Sequence, residues 1–277
     1  NITPSVSYGM NWFFRDTQKE YNPDCWGHAD VDEYLKLMEK YNVEQAVLVP
    51  INDGGTYYFD ANKTNEWLGK MVTEYKGKFV AFADVLNTGG YFHELAPWWL
   101  ETAVEEYGLS GLKLHPSNLG IDIDSLEMVP VIREAADRKI PIMVHSYPYG
   151  RQKYDTCEPA RIHRMAKIFP DATFIISHMG GYRWLDAVGG KEYVDISTFL
   201  PELVSLYGIE QANRILRAFG PDRLIFATDY PQVYLCKAEE IYEKYCEILN
   251  QMDFTEEEAE KIAYRNMYEI LNKKEEN

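Results

Sequence analysis

The chain has 277 residues, with 28 Lys and Arg against 44 Asp and Glu, a formal net charge of −16. That charge repels phosphate backbones and anionic lipid surfaces, so nucleic acid is not an expected partner. The 46% hydrophobic content falls in runs far too short to span a membrane. The length suits one domain over residues 1–277; Cys25, Cys157, Cys236 and Cys246 form no CxxC pair and are too few for a disulfide framework, so a reducing cytoplasm is the expected setting.

Residues 1–29 form a polar, aromatic stretch with Pro and Gly, like a long loop. Asp30 is placed to cap a helix over 30–42, in which Val31, Tyr34, Leu35 and Met38 fall at i, i+3, i+4 and i+7. Short apolar runs then recur: EQAVLVP (44–50), FVAFADV (79–85), GLKLHP (111–116), PIMVHS (141–146), TFIISHMG (173–180), YVDIST (193–198) and LIFATDYP (224–231). Amphipathic patterns lie between them over 127–139, over 157–170 up to Pro170, and over 201–220 up to the Gly220-Pro221 break. A last helix opens at Thr255, with Glu258 three residues on completing a capping box.

Seven strands are therefore expected, starting roughly 20 to 35 residues apart, the spacing of a strand, a crossover helix and two loops. Nearly continuous apolar strands indicate a parallel sheet covered on both faces, which a barrel and a doubly wound sheet both satisfy.

Reactive side chains cluster at the carboxyl ends of these strands: Lys113 and His115, His145, His178, and Asp229. In a (β/α)8 barrel all such tips converge on one face. Imidazoles with a carboxylate are the ligands expected of zinc or a similar divalent ion, and catalysis also needs a base. Arg183, just after HMGG, suits a substrate carboxylate bidentately or a surface ion pair equally well. His28, His93 and His163 lie in loops, near a helix start or within a helix, and are read as structural.

GLKLHP, IMVHS, ISHMGG, DIST and FGPDRLIFATDYP, in that order and at those separations, resemble the amidohydrolase-related branch of the amidohydrolase superfamily. That group includes aminocarboxymuconate-semialdehyde decarboxylase, resorcylate-type decarboxylases and several lactone hydrolases. The resemblance covers nearly the whole chain, down to RNMYEIL (265–271), similar to the group's closing helix. It implies a distorted TIM barrel with one divalent metal, commonly zinc, with manganese as the other option. His145 then matches the metal-binding histidine after the fifth barrel strand, and His178 the catalytic histidine of the sixth. Asp229 matches the metal-binding or proton-handling aspartate of the eighth. Lys113, His115 and Arg183 fall to the substrate. Dimers are common in the group, so a homodimer is one expected assembly.

One departure stands out. The family's first strand ends in an HxH pair, and no HxH occurs in these 277 residues. Either the first strand lies upstream of Asn1, or the stretch NITPSVSYGMNWFF (1–14) is that strand and the pair is lost. Counting favours the first, because the seven visible strands then become strands two to eight and a closed barrel removes two open edges. The resemblance implies a metal-dependent hydrolase of a small carboxylate, lactone or aromatic substrate, or a non-oxidative decarboxylase using the same residues. A metal-free barrel that only binds a ligand or partner is the third reading. Aromatic content of 14% leans towards a ring-shaped substrate, with the loops YGMNWFF (8–14) and DGGTYYFD (53–60) either lining the mouth or forming a lid or subunit contact.

Overall fold

A computed structural model describes residues 31–52, 60–148, 155–231 and 237–272. Seven strands, β1 (Ala46–Leu48), β2 (Phe79–Ala83), β3 (Gly111–Leu114), β4 (Ile142–Val144), β5 (Phe174–Ile176), β6 (Tyr193–Asp195) and β7 (Leu224–Ile225), form one sheet in sequence order. Every pairing is parallel. The main helices between strands are α1 (Val31–Lys40), α2 (Ala61–Glu74), α3 (Phe92–Glu105), α4 (Pro116–Leu119), α5 (Val129–Asp137), α6 (Pro159–Ile168), α7 (Trp184–Val188), α8 (Phe199–Tyr207), α9 (Ile209–Phe219), α10 (Ile241–Leu249), α11 (Glu256–Glu260) and α12 (Asn266–Asn272). A parallel sheet that never reverses its strand order is the topology of a TIM barrel, not of a doubly wound sheet, whose order switches direction. Residues 1–30, where the first strand or its loop is expected, and 53–59 lie outside the described residues, as do the loop readings made for 8–14 and most of 53–60.

The period of two along each strand separates two cores. Phe82, Met143, Ile175 and Ile225 join Val49 and Ile270 in a small inner cluster. Their strand neighbours Ala81, Ala83, Ile142, Val144, Phe174, Ile176 and Leu224 belong instead to the large cluster under the helices. Both strand faces are therefore dry, which is why the strands read as unbroken apolar runs. At Gly111 a Cβ would stand 2.5 Å from the Phe82 ring, so glycine leaves room for an aromatic plug inside the sheet. Ile270, with Met267 and Leu271 against it, brings the last helix into the same inner cluster.

Several expected elements are shorter or divided. The helix over 201–220 is two, α8 and α9, parted at Gly208, whose φ of +78° takes the left-handed region open to glycine. The ladder of the last strand to β6 covers only Leu224–Ile225, and on its opposite edge the Phe226 N–H donates to the Ile262 carbonyl at 2.8 Å. The capping box at Thr255 and Glu258 forms as expected, with both reciprocal bonds present. Its helix then passes through a π-helical turn, Lys261–Arg265, before α12. Among the described residues no helix is long and apolar enough to cross a membrane.

Candidate active site

Inward parity carries polar groups to the carboxyl end of the sheet. Lys113 follows Gly111 by two in β3, His145 follows Met143 by two just past β4, and Ser177 follows Ile175 by two past β5. Asp195 closes β6 two residues after Tyr193. The His145 N–H still reaches the Leu114 carbonyl at 2.8 Å, so the imidazole leaves the backbone where the ladder ends.

Three imidazoles meet there. The rings of His115 and His145 stack at 3.6 Å between centroids with 12° between planes. His145 Nδ1 lies 3.1 Å from His178 Nε2. Burial, followed by the neighbouring charges, holds both His115 and His145 well below the usual imidazole range, so both are neutral at pH 7. His115 also caps α4: its Nδ1 accepts the Asn118 N–H at 3.2 Å, which leaves the proton on Nε2.

Lys113 is 4% exposed, and its Nζ donates to Ser177 Oγ at 3.3 Å. Burial lowers its pKa, while the charges of Asp195 and Asp229 oppose that shift. Asp229 is half-buried and accepts the Thr198 hydroxyl at 2.9 Å on Oδ2. Arg183 stands apart: its Nε donates to Asp186 at 2.9 Å, with the side chain 42% exposed. His163 is held by Glu192 at 2.8 Å and the Asp186 carbonyl at 2.8 Å, the structural position expected of it.

The backbone at these tips is unusual. His178, Met179, Gly180 and Gly181 all have positive φ, as do Thr198 and Asp229, each at +59°. Positive φ is a genuine outlier for β-branched Thr, and such strain concentrates at functional sites. The run turns the chain sharply after β5, so ISHMGG ends not in a strand but in a tight coil that aims His178 inward.

Four neighbours of this cluster carry no role from the strand-tip pattern. Asp195 Oδ1 accepts the His178 N–H and the Ser197 N–H, each at 3.0 Å, together with the Ser197 hydroxyl. Ser197 Oγ lies 2.8 Å from His178 Nδ1. Tyr147 packs edge-to-face on His178 at 5.9 Å, and its hydroxyl donates to Glu202. Asp195 and Ser197 leave one trace in the sequence, the DIST stretch at the end of the apolar strand YVDIST, which names no role for either; Tyr147 and Glu202 leave none.

A parallel β/α sheet with histidines, a lysine and an aspartate gathered at its carboxyl end has the architecture of a barrel enzyme. The chain belongs to the amidohydrolase family, whose family model matches residues 21–272. No curated protein matches it by sequence. Among solved structures it is similar to 2,6-dihydroxybenzoate decarboxylase from Rhizobium, with a TM-score of 0.69, 14% identity, and coverage of 99% of this chain and 96% of that one. It is similar to 5-carboxyvanillate decarboxylase from Novosphingobium aromaticivorans, complexed with manganese and a nitrobenzoic acid, with a TM-score of 0.68, 15% identity, and coverage of 96% and 88%. A third, described as a probable 2-pyrone-4,6-dicarboxylic acid hydrolase from Acinetobacter baumannii, has a TM-score of 0.62, 16% identity, and 91% coverage of both chains. At these identities the likeness establishes the barrel fold.

Proposed function

We propose that the protein is a hydrolase of a small carboxylate, lactone or aromatic substrate, with His178 and Asp229 handling the proton and Lys113 receiving the substrate's negative charge. The observation that carries this reading is the approach of His145 Nδ1 and His178 Nε2 to 3.1 Å beside the buried Lys113 ammonium. Imidazole nitrogens can accept or donate a proton in general acid–base steps, and a cation in a low-dielectric pocket attracts a carboxylate far more strongly than one in water. Thr198 orients Asp229 through its hydroxyl, and His115 braces the His145 ring by stacking. Arg183, paired with Asp186, is assigned to the outer rim, where a larger substrate's carboxylate could exchange for that partner.

A divalent ion belongs to this reading, zinc first and manganese second, with His145 and Asp229 as its residues. The manganese in the Novosphingobium enzyme supports it. Such an ion supplies Lewis acidity and lowers the pKa of water. Yet no group of three or more His, Cys, Asp or Glu side chains among the described residues is disposed to hold a metal. The described donors do not complete a site alone.

A second reading, non-oxidative decarboxylation of an aromatic acid, draws support from the rings beside His178. Tyr147 and Tyr182 pack edge-to-face at 5.9 Å and offer a wall for a planar substrate, each also packed at 5.6 to 5.9 Å on the fully buried Phe199. The deciding experiment offers the purified protein a panel of lactones, esters and hydroxylated aromatic acids, with and without chelator or added zinc and manganese. Acid or alcohol release that is lost on chelation and in His178→Asn is expected. Carbon dioxide release without hydrolysis would establish the second reading instead, and ligand binding with neither product would make the barrel a binder.

A further inference from the structure

Asp195 Oδ1 at the β6 tip accepts three hydrogen bonds, and their directions decide which nitrogen of His178 carries its proton. A carboxylate can only accept, so the Ser197 hydroxyl must spend its single hydrogen on Asp195 Oδ1. Ser197 Oγ, 2.8 Å from His178 Nδ1, can then only accept from that ring. Asp195 is fixed in turn by the His178 and Ser197 backbone N–H groups, each at 3.0 Å on the same oxygen. Asp195 and Ser197 are both fully buried, so water does not compete for these bonds.

We infer that Asp195 and Ser197 are positioning residues that hold His178 in its Nδ1–H tautomer and present the Nε2 lone pair to the pocket, where His145 Nδ1 lies 3.1 Å away. The same oxygen that orients the ring through Ser197 also holds the His178 main chain in its left-handed turn, where φ is +58°. One carboxylate therefore sets both where the imidazole stands and which of its nitrogens keeps the lone pair. A histidine whose second nitrogen is tied by a hydrogen-bond partner is defined in both orientation and tautomer, the principle that makes outer partners of reactive imidazoles matter. The catalytic consequence rests on the reading of His178 as the proton-handling group; the tautomer assignment does not.

The test is nitrogen-15 NMR of the histidine side chains, at a pH where His178 is neutral, in the unaltered protein and in Ser197→Ala. Spectra recorded with and without chelator separate the hold of Ser197 on the ring from that of any bound ion on Nε2. The unaltered protein is expected to show His178 protonated on Nδ1 alone. Ser197→Ala should show mixed tautomers after chelation, with kcat down about 10- to 100-fold and KM little changed, the effect usual for loss of an outer partner. Ser197→Thr, which keeps the hydroxyl, should restore the single tautomer. His178 protonated on Nε2 in the unaltered protein overturns the inference whether or not any variant folds. So does a Ser197→Ala protein that keeps Nδ1–H after chelation. A tautomer shift with unchanged turnover upholds the relay and removes His178 from the chemistry, so the two ideas fail separately.

Discussion

His115 and His145 face each other across 3.6 Å, a contact two imidazolium ions would not tolerate. Burial pushes both pKa values down, and the neighbouring Lys113 charge adds to the shift. An imidazole in the unfolded chain titrates near ~6.5. Above that pH both states hold these rings neutral and they contribute nothing to pH dependence. As pH falls below it, the unfolded chain takes up protons that the folded protein refuses, and stability drops by up to about 1.4 kcal/mol per pH unit for each ring. His163 has the opposite sign: Glu192 raises its pKa, so it favours the fold at low pH and loses that effect as pH rises through its folded value. Denaturant melts between about pH 6.5 and 5, above most carboxylate titration, should therefore show a falling stability that flattens in the His115→Gln, His145→Gln double variant. An unchanged slope in that variant would place the proton uptake elsewhere.

Among the elements, β2 and β3 depend on one small residue. The Phe82 ring crosses the inner face where Gly111 has no side chain, and both are fully buried. Gly111→Ala puts a methyl group 2.5 Å from that ring, which must then move within a packed interior. The expected cost is about 1–3 kcal/mol in chemical denaturation. Because Lys113 leaves the same strand two residues later, a displaced β3 should also weaken substrate binding. Wild-type stability in this variant would mean that the inner cluster has slack. Strand shortness has a related consequence: with strands of only two to five residues, His115, His145, His178 and Asp229 lie past the strand ends rather than in the sheet. Positive φ at His178, Thr198 and Asp229 can be accommodated there without breaking ladder bonds.

Across the whole molecule, the first described helix packs against residues that follow the last strand. The Tyr34 hydroxyl on α1 is 2.6 Å from that of Tyr242 on α10, and the Tyr34 ring packs on Tyr230 at 4.8 Å. Around β7 the C-terminal segment takes the place of a strand partner. Asn266 donates to both the Pro221 and Leu224 carbonyls at 2.7 Å, and Ile262 accepts from Phe226 at 2.8 Å. Asn266→Ala leaves buried carbonyls without donors and loosens α12 from the inner cluster. We expect a loss of roughly 2–4 kcal/mol, read as a lowered denaturation midpoint. A loss below about 0.5 kcal/mol would mean that water replaces the amide and that α12 is held by Ile270, Met267 and Leu271 alone.

The order of apolar strands and amphipathic helices was enough to define a parallel β/α architecture, because period and spacing are local properties that survive without knowledge of the fold. The gathering of Lys113, His115, His145 and His178 followed from the same pattern, since each stands at a strand's end and a barrel brings such ends together. Thr255 and Glu258 could be paired directly, as a capping box needs only four consecutive residues. The rest depended on contacts between distant segments. Arg183 has the right chemistry for a substrate carboxylate, but a turn of chain sets it against Asp186. Gly208 had to take a left-handed conformation before one long helix became two. Ser197 stands in the DIST stretch with no role marked by the sequence; only the fold places it between a buried carboxylate and an imidazole 19 residues away. Residue type and spacing determined which groups could react, and tertiary packing alone decided which of them share protons, because a hydrogen bond requires two atoms to meet at the right distance and direction.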